Sequence, residues 1–277
     1  MLTYLNMIEQ FKYHLRNLIT LRYFSPILSG NLFFIFGCQR SGTTLLLSIL
    51  NAHPQITCVD ETEFPSPYPF PSAQRLAVNK ITNHYLCFKM LEHSHKLSFL
   101  KKFYPHAKIL WPMRNPHSTI SSMLKLVNSQ GDWIDRCVIQ EIERLKPFFG
   151  QELENWNLPE LSKIELAAIY WLYKNQYPTW LKNNGFEVLE FKYEEVIQNQ
   201  KETLGKITNF LEIEWSDDLL NFYQKNPGKS LAGGTRTDRP INTTRANNLQ
   251  AELNSEDIHK INLICQPVMQ KYSYIKL

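Results

Sequence analysis

The chain has 277 residues, of which 43% are hydrophobic and 20% are charged, a length that suits one large domain or two small ones. Its 30 lysines and arginines against 26 aspartates and glutamates leave a formal charge of +4. That excess argues against a broad nucleic-acid-binding surface and leaves room for a local anion pocket. Ten glycines, 15 prolines and 13% aromatic residues exclude a collagen-like or wholly disordered chain, so we expect a soluble globular protein.

Residues 1–30 carry apolar side chains at helical spacing together with several basic ones, a pattern typical of an amphipathic helix. This stretch has no long apolar core and no small-residue cleavage site, so we do not interpret it as a signal peptide. We expect this helix to dock on the domain, although a basic amphipathic helix also suits a membrane surface. No stretch reaches roughly 18 consecutive apolar residues, the length that a membrane-spanning helix needs.

Short apolar runs, rich in β-branched and aromatic residues, alternate with segments of helical period. The predicted strands are Asn31–Phe36, Ile56–Val59, His84–Met90, Lys108–Met113 and Phe186–Phe191. The predicted helices are Thr44–Asn51, Leu97–Phe103, Ser118–Val127, Gly131–Phe149, Ser162–Asn183, Tyr193–Leu211 and Ser255–Gln270. This alternation predicts a three-layer, P-loop-like α/β fold with a central, mainly parallel sheet of about five strands.

The cysteines are widely spaced, at Cys38, Cys58, Cys87, Cys137 and Cys265. Because no two form a CxxC pair, they do not predict a structural metal site. Their odd number and wide spacing favour reduced thiols, and hence a cytoplasmic protein.

The most informative segment is the loop Gly37–Thr44, between the first predicted strand and the first predicted helix. A strand–glycine loop–helix junction presents backbone N–H groups at a helix N-terminus, which suits a phosphate-type anion. Arg40 adds a charged guanidinium to this loop. The tight-turn glycine and the hydroxyl donors follow it at Ser41, Gly42, Thr43 and Thr44.

The nucleotide-kinase pattern G-x-x-x-x-G-K-[ST] has a lysine directly after its second glycine. Here Thr43 stands at that position, and the cation is Arg40. An NTPase without that lysine loses a contact to the β- and γ-phosphates. A kinase or nucleotide-binding regulator with a degenerate phosphate loop is therefore the alternative interpretation.

A second anion-binding pattern follows the fourth predicted strand. Arg114 lies at the end of that strand, and Ser122 lies eight residues further on, inside the next predicted helix. An arginine at a strand end and a serine in the following helix are placed to converge on one phosphate.

These two motifs resemble those of the sulfotransferases that use 3′-phosphoadenosine 5′-phosphosulfate (PAPS). Arg40–Thr44 resembles the family's 5′-phosphosulfate loop, and Arg114 with Ser122 resembles its 3′-phosphate motif. Arginine at position 40 is more similar to the tyrosylprotein sulfotransferases and their bacterial relatives. The resemblance runs from about Leu32 to the C-terminus, and residues 1–30 lie outside it.

The resemblance implies a sulfotransferase that moves a sulfuryl group from PAPS to an acceptor hydroxyl, without a metal and without nucleic acid as partner. Because motifs from Arg40 to Arg239 must then converge on one nucleotide, residues 1–277 are expected to form a single domain. A catalytically silent PAPS-binding protein is a further interpretation. The sequence leaves the oligomeric state open, a homodimer included.

Further positions match the tyrosylprotein-type pattern. Lys89, at the end of the third predicted strand, takes the place of a lysine that stabilises the transferring sulfuryl group. Tyr193, followed by Glu194, matches the Tyr-Glu after the last core strand. Gly233-Gly234 and Arg239–Asn242 resemble the segment that closes over the nucleotide. That alignment also implies nucleotide-binding roles for Thr235, Arg236 and Arg239.

The catalytic base follows from the segment Asn51–Thr62, which resembles the stretch that carries the tyrosylprotein enzymes' catalytic glutamate. That glutamate falls on Glu61, where a carboxylate at a strand end is well placed as a general base. Asp60 is the rival, and it points to the other side if the strand continues. His53 is a candidate by analogy with cytosolic sulfotransferases, but its place at a helix end favours a packing or capping role.

One departure concerns the acceptor. The tyrosylprotein enzymes carry an arginine where this chain has Glu63, so an acidic peptide acceptor is less expected. The loop Phe64–Pro71 has a proline at every second position and is expected to be extended. Its aromatic residues suit either an acceptor pocket or packing against each other. Tyrosyl peptides, sugars, lipids and small phenols stay open as acceptors.

Overall fold

The computed structural model describes residues 29–61, 84–92, 94–128, 131–225, 230–231, 235–241 and 253–275. Most of the predicted N-terminal helix lies outside the described residues, as does the proline-rich loop Phe64–Pro71. So do Gly233, Gly234 and Asn242 of the predicted closing segment.

The strands confirm the predicted sheet, with ends that differ by one or two residues. They are β1 (Leu32–Ile35), β2 (Ile56–Asp60), β3 (Tyr85–Lys89), β4 (Lys108–Met113), β5 (Val127–Asn128), β6 (Gly131–Asp132), β7 (Val188–Lys192), β8 (Ser230–Leu231) and β9 (Thr235–Arg236). Five of them form one sheet in the order β2-β3-β1-β4-β7, and every pair in it is parallel. Strands β5 and β6 form a short antiparallel pair, as do β8 and β9.

α-Helices lie in connections between the parallel strands, which require such crossovers, and further helices follow β7. The α-helices are α1 (Thr43–Leu50), α2 (Leu97–Phe103), α3 (Pro116–Leu124), α4 (Ile139–Glu143), α5 (Lys146–Leu153), α6 (Lys163–Asn183), α7 (Tyr193–Gln198), α8 (Gln200–Leu211) and α9 (Ser255–Lys271). Among the described residues, no helix is both long enough and apolar enough to cross a membrane.

The sheet is the middle of three layers, because alternate strand residues point to opposite faces. One face packs Phe34 and Trp111 against helices α2 and α6. The other packs Ile35 and Leu110 against α1, α7 and α8. The α/β fold with a parallel five-stranded sheet is therefore confirmed, and the carboxyl ends of its strands meet at one edge.

Helix α6 is buried on most of its surface and joins the core layers. Ser162 and Glu165 form a capping box, in which each side chain accepts a hydrogen bond from the backbone N–H of the other residue. This pair defines the start of the helix. Tyr177 and Leu181 pack under the sheet, whereas Ala168 and Leu172 belong to a second cluster with α3 and α9. A helix buried all round shows little amphipathic pattern, since nearly every side chain contacts protein.

Three predicted helices are wrong in part. The expected helix Gly131–Phe149 contains strand β6, then a π-helical turn at Ile134–Val138, then α4 and α5 as separate helices. Pro147 stands in the first turn of α5, where its missing N–H is tolerated, and it could not have continued α4.

The expected helix Tyr193–Leu211 is divided at Asn199, whose φ of −124° is not helical. The expected helix Ser118–Val127 begins two residues earlier, because Asn115 caps it and Pro116 occupies its first turn. It ends at Leu124, and Val127 joins the short strand β5.

Leucine-to-alanine substitutions should separate the core from the surface. Leu181 is fully buried on α6. Leu181→Ala should lower the free energy of unfolding by about 2–5 kcal/mol, because the cavity that it leaves cannot fully collapse. Leu263→Ala is the matched control: it lies on α9 with 66% exposure, and should change stability by about 0.5 kcal/mol or less. Urea denaturation measures both, and equal losses would contradict the assigned core.

Candidate active site

The loop between β1 and α1 has the geometry of an anion cradle. Its backbone reaches positive φ at Gly37 (149°), Arg40 (69°) and Gly42 (89°), and Gly42 is the residue that precedes α1. Glycine has no side chain that could cap the helix, so the N–H groups in the first turn of α1 can bind another acceptor.

Gly42 is required by a close contact as well as by its φ. A Cβ built on Gly42 would lie 2.2 Å from Cδ2 of Tyr193, well inside any real carbon–carbon contact. Tyr193 begins α7, directly after the edge strand β7. The aromatic ring therefore contacts the loop from the end of β7, on the same face of the sheet as α1.

The hydroxyls of the loop have different surroundings. Ser41 is fully buried, and its Oγ donates to the carbonyl oxygen of Cys38 at 2.7 Å, which braces the turn. Thr43 is buried, whereas Thr44 is half-buried and its Oγ1 lies 3.3 Å from Nζ of Lys89. Thr44 thus connects the loop to the end of β3.

The two predicted anion motifs meet at this loop. Nε of Arg40 donates to Oγ of Ser122 at 2.9 Å, although Arg40 and Ser122 come from different motifs. Nη1 of Arg114 donates to the carbonyl oxygen of Arg40 at 3.1 Å. The guanidinium of Arg114 also lies over the ring of Tyr193, 4.7 Å from its centroid, a cation–π contact.

This arrangement brings two cations close together. Burial, and then the nearby charge of Arg114, lowers the pKa of Arg40, and Tyr193 partly opposes that effect. Like charges at short range repel each other, and an anion shared between them relieves the repulsion. The pair is therefore suited to a multiply charged phosphate or sulfate group.

The backbone around Arg114 is held by contacts that sequence reasoning did not find. Nε1 of Trp171, on α6, donates to the carbonyl oxygen of Arg114 at 3.0 Å. The N–H of Asn115 donates to Oε1 of Glu194 at 2.9 Å. The Asn-Pro pair itself signals a helix start, but the partners on α6 and α7 are distant in the chain.

The carboxylates at the end of β2 take different partners. Asp60 is the register partner of Lys89 on the neighbouring strand, and the two form a largely buried ion pair. Lys89 is thus bound by Asp60 on one side and by Thr44 of the loop on the other. The sequence predicts Lys89 at this edge but does not predict its pairing with Asp60.

Glu61 follows directly and is half-buried. Its Oε2 accepts the N–H of Glu92 at 3.2 Å, from the segment after β3. Glu61 lies within electrostatic range of the buried groups Glu141, Tyr170 and Lys174. Glu61 therefore lies on the α6 side of the strand ends, whereas Asp60 is bound to Lys89 beside the loop.

His53 has both ring nitrogens in use. Its Nδ1 accepts the N–H of Gln55 at 3.1 Å, so its Nε2 donates to the carbonyl oxygen of Glu214 at 2.9 Å. The side chain is buried. This geometry fits the packing role expected at a helix end.

The predicted closing segment is described only in part. Strand β9 packs near α1, and its exposed Arg236 forms an ion pair with Asp238. Arg239 is half-buried, and Thr235 is described through its backbone in β9. The described partner of Arg236 is thus Asp238. Nucleotide-binding roles for this segment stay predictions. In the described part of the chain, no cluster of histidine, cysteine and carboxylate side chains is suited to a metal.

The fold and this edge define a class of protein: a parallel α/β sheet with a glycine-containing loop and two arginines, Arg40 and Arg114, at the carboxyl ends of its strands. The model of the sulfotransferase family matches residues 33–80 and 70–217, which is more than half of the chain. The protein therefore belongs to the sulfotransferase family.

Among curated proteins, the chain is similar to protein-tyrosine sulfotransferases. It is 25% identical over 224 residues to protein-tyrosine sulfotransferase A of Caenorhabditis elegans, covering 69% of this chain and 52% of that protein. It is 25% identical over 248 residues to protein-tyrosine sulfotransferase 2 of Gallus gallus, covering 76% and 60%. The chain thus spans between half and two thirds of the length of these two relatives.

Solved structures support the same fold. The sulfotransferase domain of the Synechococcus PCC 7002 olefin synthase has a TM-score of 0.58 at 17% identity, covering 88% of this chain and 95% of that one. The sulfotransferase domain from the curacin biosynthetic pathway has a TM-score of 0.55 at 16% identity, covering 88% and 98%. Mouse sulfotransferase SULT7A1 complexed with PAP has a TM-score of 0.52 at 15% identity, covering 88% and 85%.

Alanine at position 42 should disturb the loop. We expect Gly42→Ala to lower the unfolding free energy by about 1–3 kcal/mol, because it adds a Cβ at positive φ against Tyr193. The matched control is Gly205→Ala inside α8. Apart from its chain neighbours and the backbone of its own helix, no described atom lies within 4 Å of its added Cβ, and the change should stabilise by about 0.5–1 kcal/mol.

A double variant separates the two causes of this loss. If the ring of Tyr193 causes part of it, Gly42→Ala combined with Tyr193→Ala should cost less than the sum of the single changes. Thermal and urea unfolding provide the comparison. Additive losses would show that the ring contact does not constrain position 42.

Proposed function

We propose that the protein is a PAPS-dependent sulfotransferase, which transfers a sulfuryl group to an acceptor hydroxyl. The observation that carries this proposal is the convergence of Arg40, Arg114 and Ser122 on the loop before α1. The PAP complex of the structurally similar mouse enzyme supports a nucleotide of this type. The chain would act as one domain, since residues from Arg40 to Arg239 would serve a single nucleotide.

The residues at the strand ends fit a nucleotide with phosphate groups at both its 5′ and its 3′ positions. The N–H groups at the start of α1, with Ser41–Thr44, would cradle the 5′-phosphate. Arg114 and Ser122 would hold the 3′-phosphate. Tyr193 would keep Arg114 in place through the ring contact described above. Thr235, Arg236 and Arg239 would close over the bound nucleotide.

PAPS supplies the activated sulfuryl group in this reaction. Glu61 would take the proton of the acceptor hydroxyl while the acceptor oxygen bonds to sulfur. Arg40 and Lys89 would stabilise the charge on the leaving phosphate oxygen as its bond to sulfur breaks. The products would be a sulfate ester and adenosine 3′,5′-bisphosphate. Positioning and fixed charge supply the rate, since the protein forms no covalent bond to the substrate.

Glu61 is favoured over Asp60 as the base because of their partners. Asp60 holds Lys89, so its negative charge is already used to neutralise a cation that the transfer needs. Glu61 accepts the backbone N–H of Glu92 and is half-buried directly after β2. The acceptor could be a tyrosyl peptide, as the names of the relatives suggest, or a sugar, lipid or phenol.

Nucleotide binding tests the donor. We expect adenosine 3′,5′-bisphosphate to bind without Mg²⁺, and Arg114→Ala to raise its Kd about 10- to 100-fold, because one charge-assisted contact is lost. Lys206→Ala, which removes an exposed cation of α8, is the control and should leave the Kd unchanged. Isothermal titration calorimetry measures both. Mg²⁺-dependent binding of ATP or GTP instead would favour the kinase or regulator alternative.

Turnover tests the base. With PAPS and a panel of the four acceptor classes, Glu61→Gln should lower kcat about 10²- to 10⁴-fold, the range for loss of a general base. Nucleotide affinity should stay near that of the parent protein. Asp60→Asn is the companion variant, and it should raise the KM for PAPS as well, because Lys89 loses its partner. Full turnover by Glu61→Gln would exclude Glu61 as the base.

A further inference from the structure

Lys174 is a buried cation that the proposed reaction does not use. It lies in the middle of α6 and is only 2% exposed. Taking an ammonium group out of water is costly unless hydrogen bonds and opposite charge compensate for it. Its partners therefore indicate what the side chain holds in place.

Those partners lie in the segment that follows β3. Nζ of Lys174 donates to the carbonyl oxygen of Leu91 and to Oγ of Ser94, each at 2.8 Å. The hydroxyl of Tyr177, one turn further along α6, donates to the carbonyl oxygen of Ser94 at 3.1 Å. Helix α6 thus fixes both sides of Glu92 through contacts to Leu91 and Ser94.

The same segment holds the carboxylate of Glu61. Glu92 lies next to Leu91, and its N–H donates to Oε2 of Glu61 at 3.2 Å. A continuous path therefore leads from Nζ of Lys174, through the backbone of Leu91 and Glu92, to the carboxylate of Glu61. The path is short, and each of its contacts is a hydrogen bond or a peptide bond.

Opposite charge near Lys174 makes its burial tolerable. Burial lowers the pKa of Lys174, and the nearby carboxylate of Glu141 acts against that shift. Glu141 is itself buried and forms an ion pair with Arg144. The ammonium group is thus built into a charged cluster beside the strand ends, on the side where Glu61 lies.

We propose that Lys174 is a positioning residue for Glu61, acting through the backbone at Leu91–Glu92. This inference rests on the proposed function, in which Glu61 takes the acceptor proton. Lys174 does not touch the acceptor or the nucleotide in this scheme. It keeps the Glu92 N–H where it orients the base, so that the carboxylate meets the hydroxyl in a productive direction.

Lys174→Met tests the inference with a side chain of similar length and no charge. Removing one member of a buried charged cluster is destabilising, so circular dichroism and urea denaturation must first show that the variant is folded under the assay conditions. We expect kcat to fall about 10- to 100-fold, since misplacement of a reacting group by about 1 Å has effects of this size. The KM for PAPS should change about twofold or less, because the nucleotide site keeps its contacts.

The double variant with Glu61→Gln distinguishes positioning from general damage. If Lys174 acts through Glu61, Lys174→Met should cause no further loss of the residual kcat in the Glu61→Gln background. Losses that multiply, or a rise in the KM for PAPS in place of a fall in kcat, would overturn the inference. Full turnover by Glu61→Gln alone would instead overturn the base assignment on which it rests.

Two further variants complete the test. Asn175→Ala removes the neighbouring buried polar group of α6, whose amide donates to the carbonyl oxygen of Trp171, and should leave kcat and KM unchanged. Ser94→Ala removes one acceptor of Lys174 and should lower kcat less than Lys174→Met does. If Lys174→Met fails to fold, Ser94→Ala takes its place in the same cycle with Glu61→Gln, and multiplicative losses there would equally overturn the inference.

Discussion

The hydrogen bond from Arg114 to the carbonyl oxygen of Arg40 is the contact on which the site depends. It fixes a backbone that leaves β1 with positive φ, and it brings the cation after β4 against the cation after β1. The two strands are neighbours in the sheet, so ordinary strand pairing sets the spacing. The register of these two strands and this hydrogen bond together therefore determine how close the two arginine side chains lie.

The other strand ends extend this principle across the sheet. Strand β3 contributes Lys89 next to Thr44, and β2 contributes Asp60 beside Lys89. Strand β7 contributes the ring that lies on Gly42. Each of the five strands thus delivers one side chain or turn to the same edge, and the helical layers hold these ends from either side. In open α/β sheets, ligands bind outside the carboxyl ends of the strands, which is where these side chains meet.

Much of this could be predicted from the sequence, because the signals are local. Buried strands appear as short apolar runs, and the glycine loop and Arg114 directly follow such runs. The split of Tyr193–Leu211 at Asn199 was not predictable from period alone, since both halves share an apolar face. The pairing of Asp60 with Lys89 depends on the register between β2 and β3, and the hydrogen bonds of Lys174 depend on the packing of α6 against Leu91 and Ser94. Such long-range relations leave no pattern within a short window of sequence.

The contact between Gly42 and the ring of Tyr193 joins distant parts of the sheet. Strand β4 lies between β1 and β7. The ring of Tyr193, which follows β7, therefore reaches past the end of β4 to contact the loop after β1. Fraying of β7 from the edge of the sheet would lift the ring from the loop and from Arg114 together. The shape of the loop before α1 is thus coupled to local unfolding of the edge strand β7.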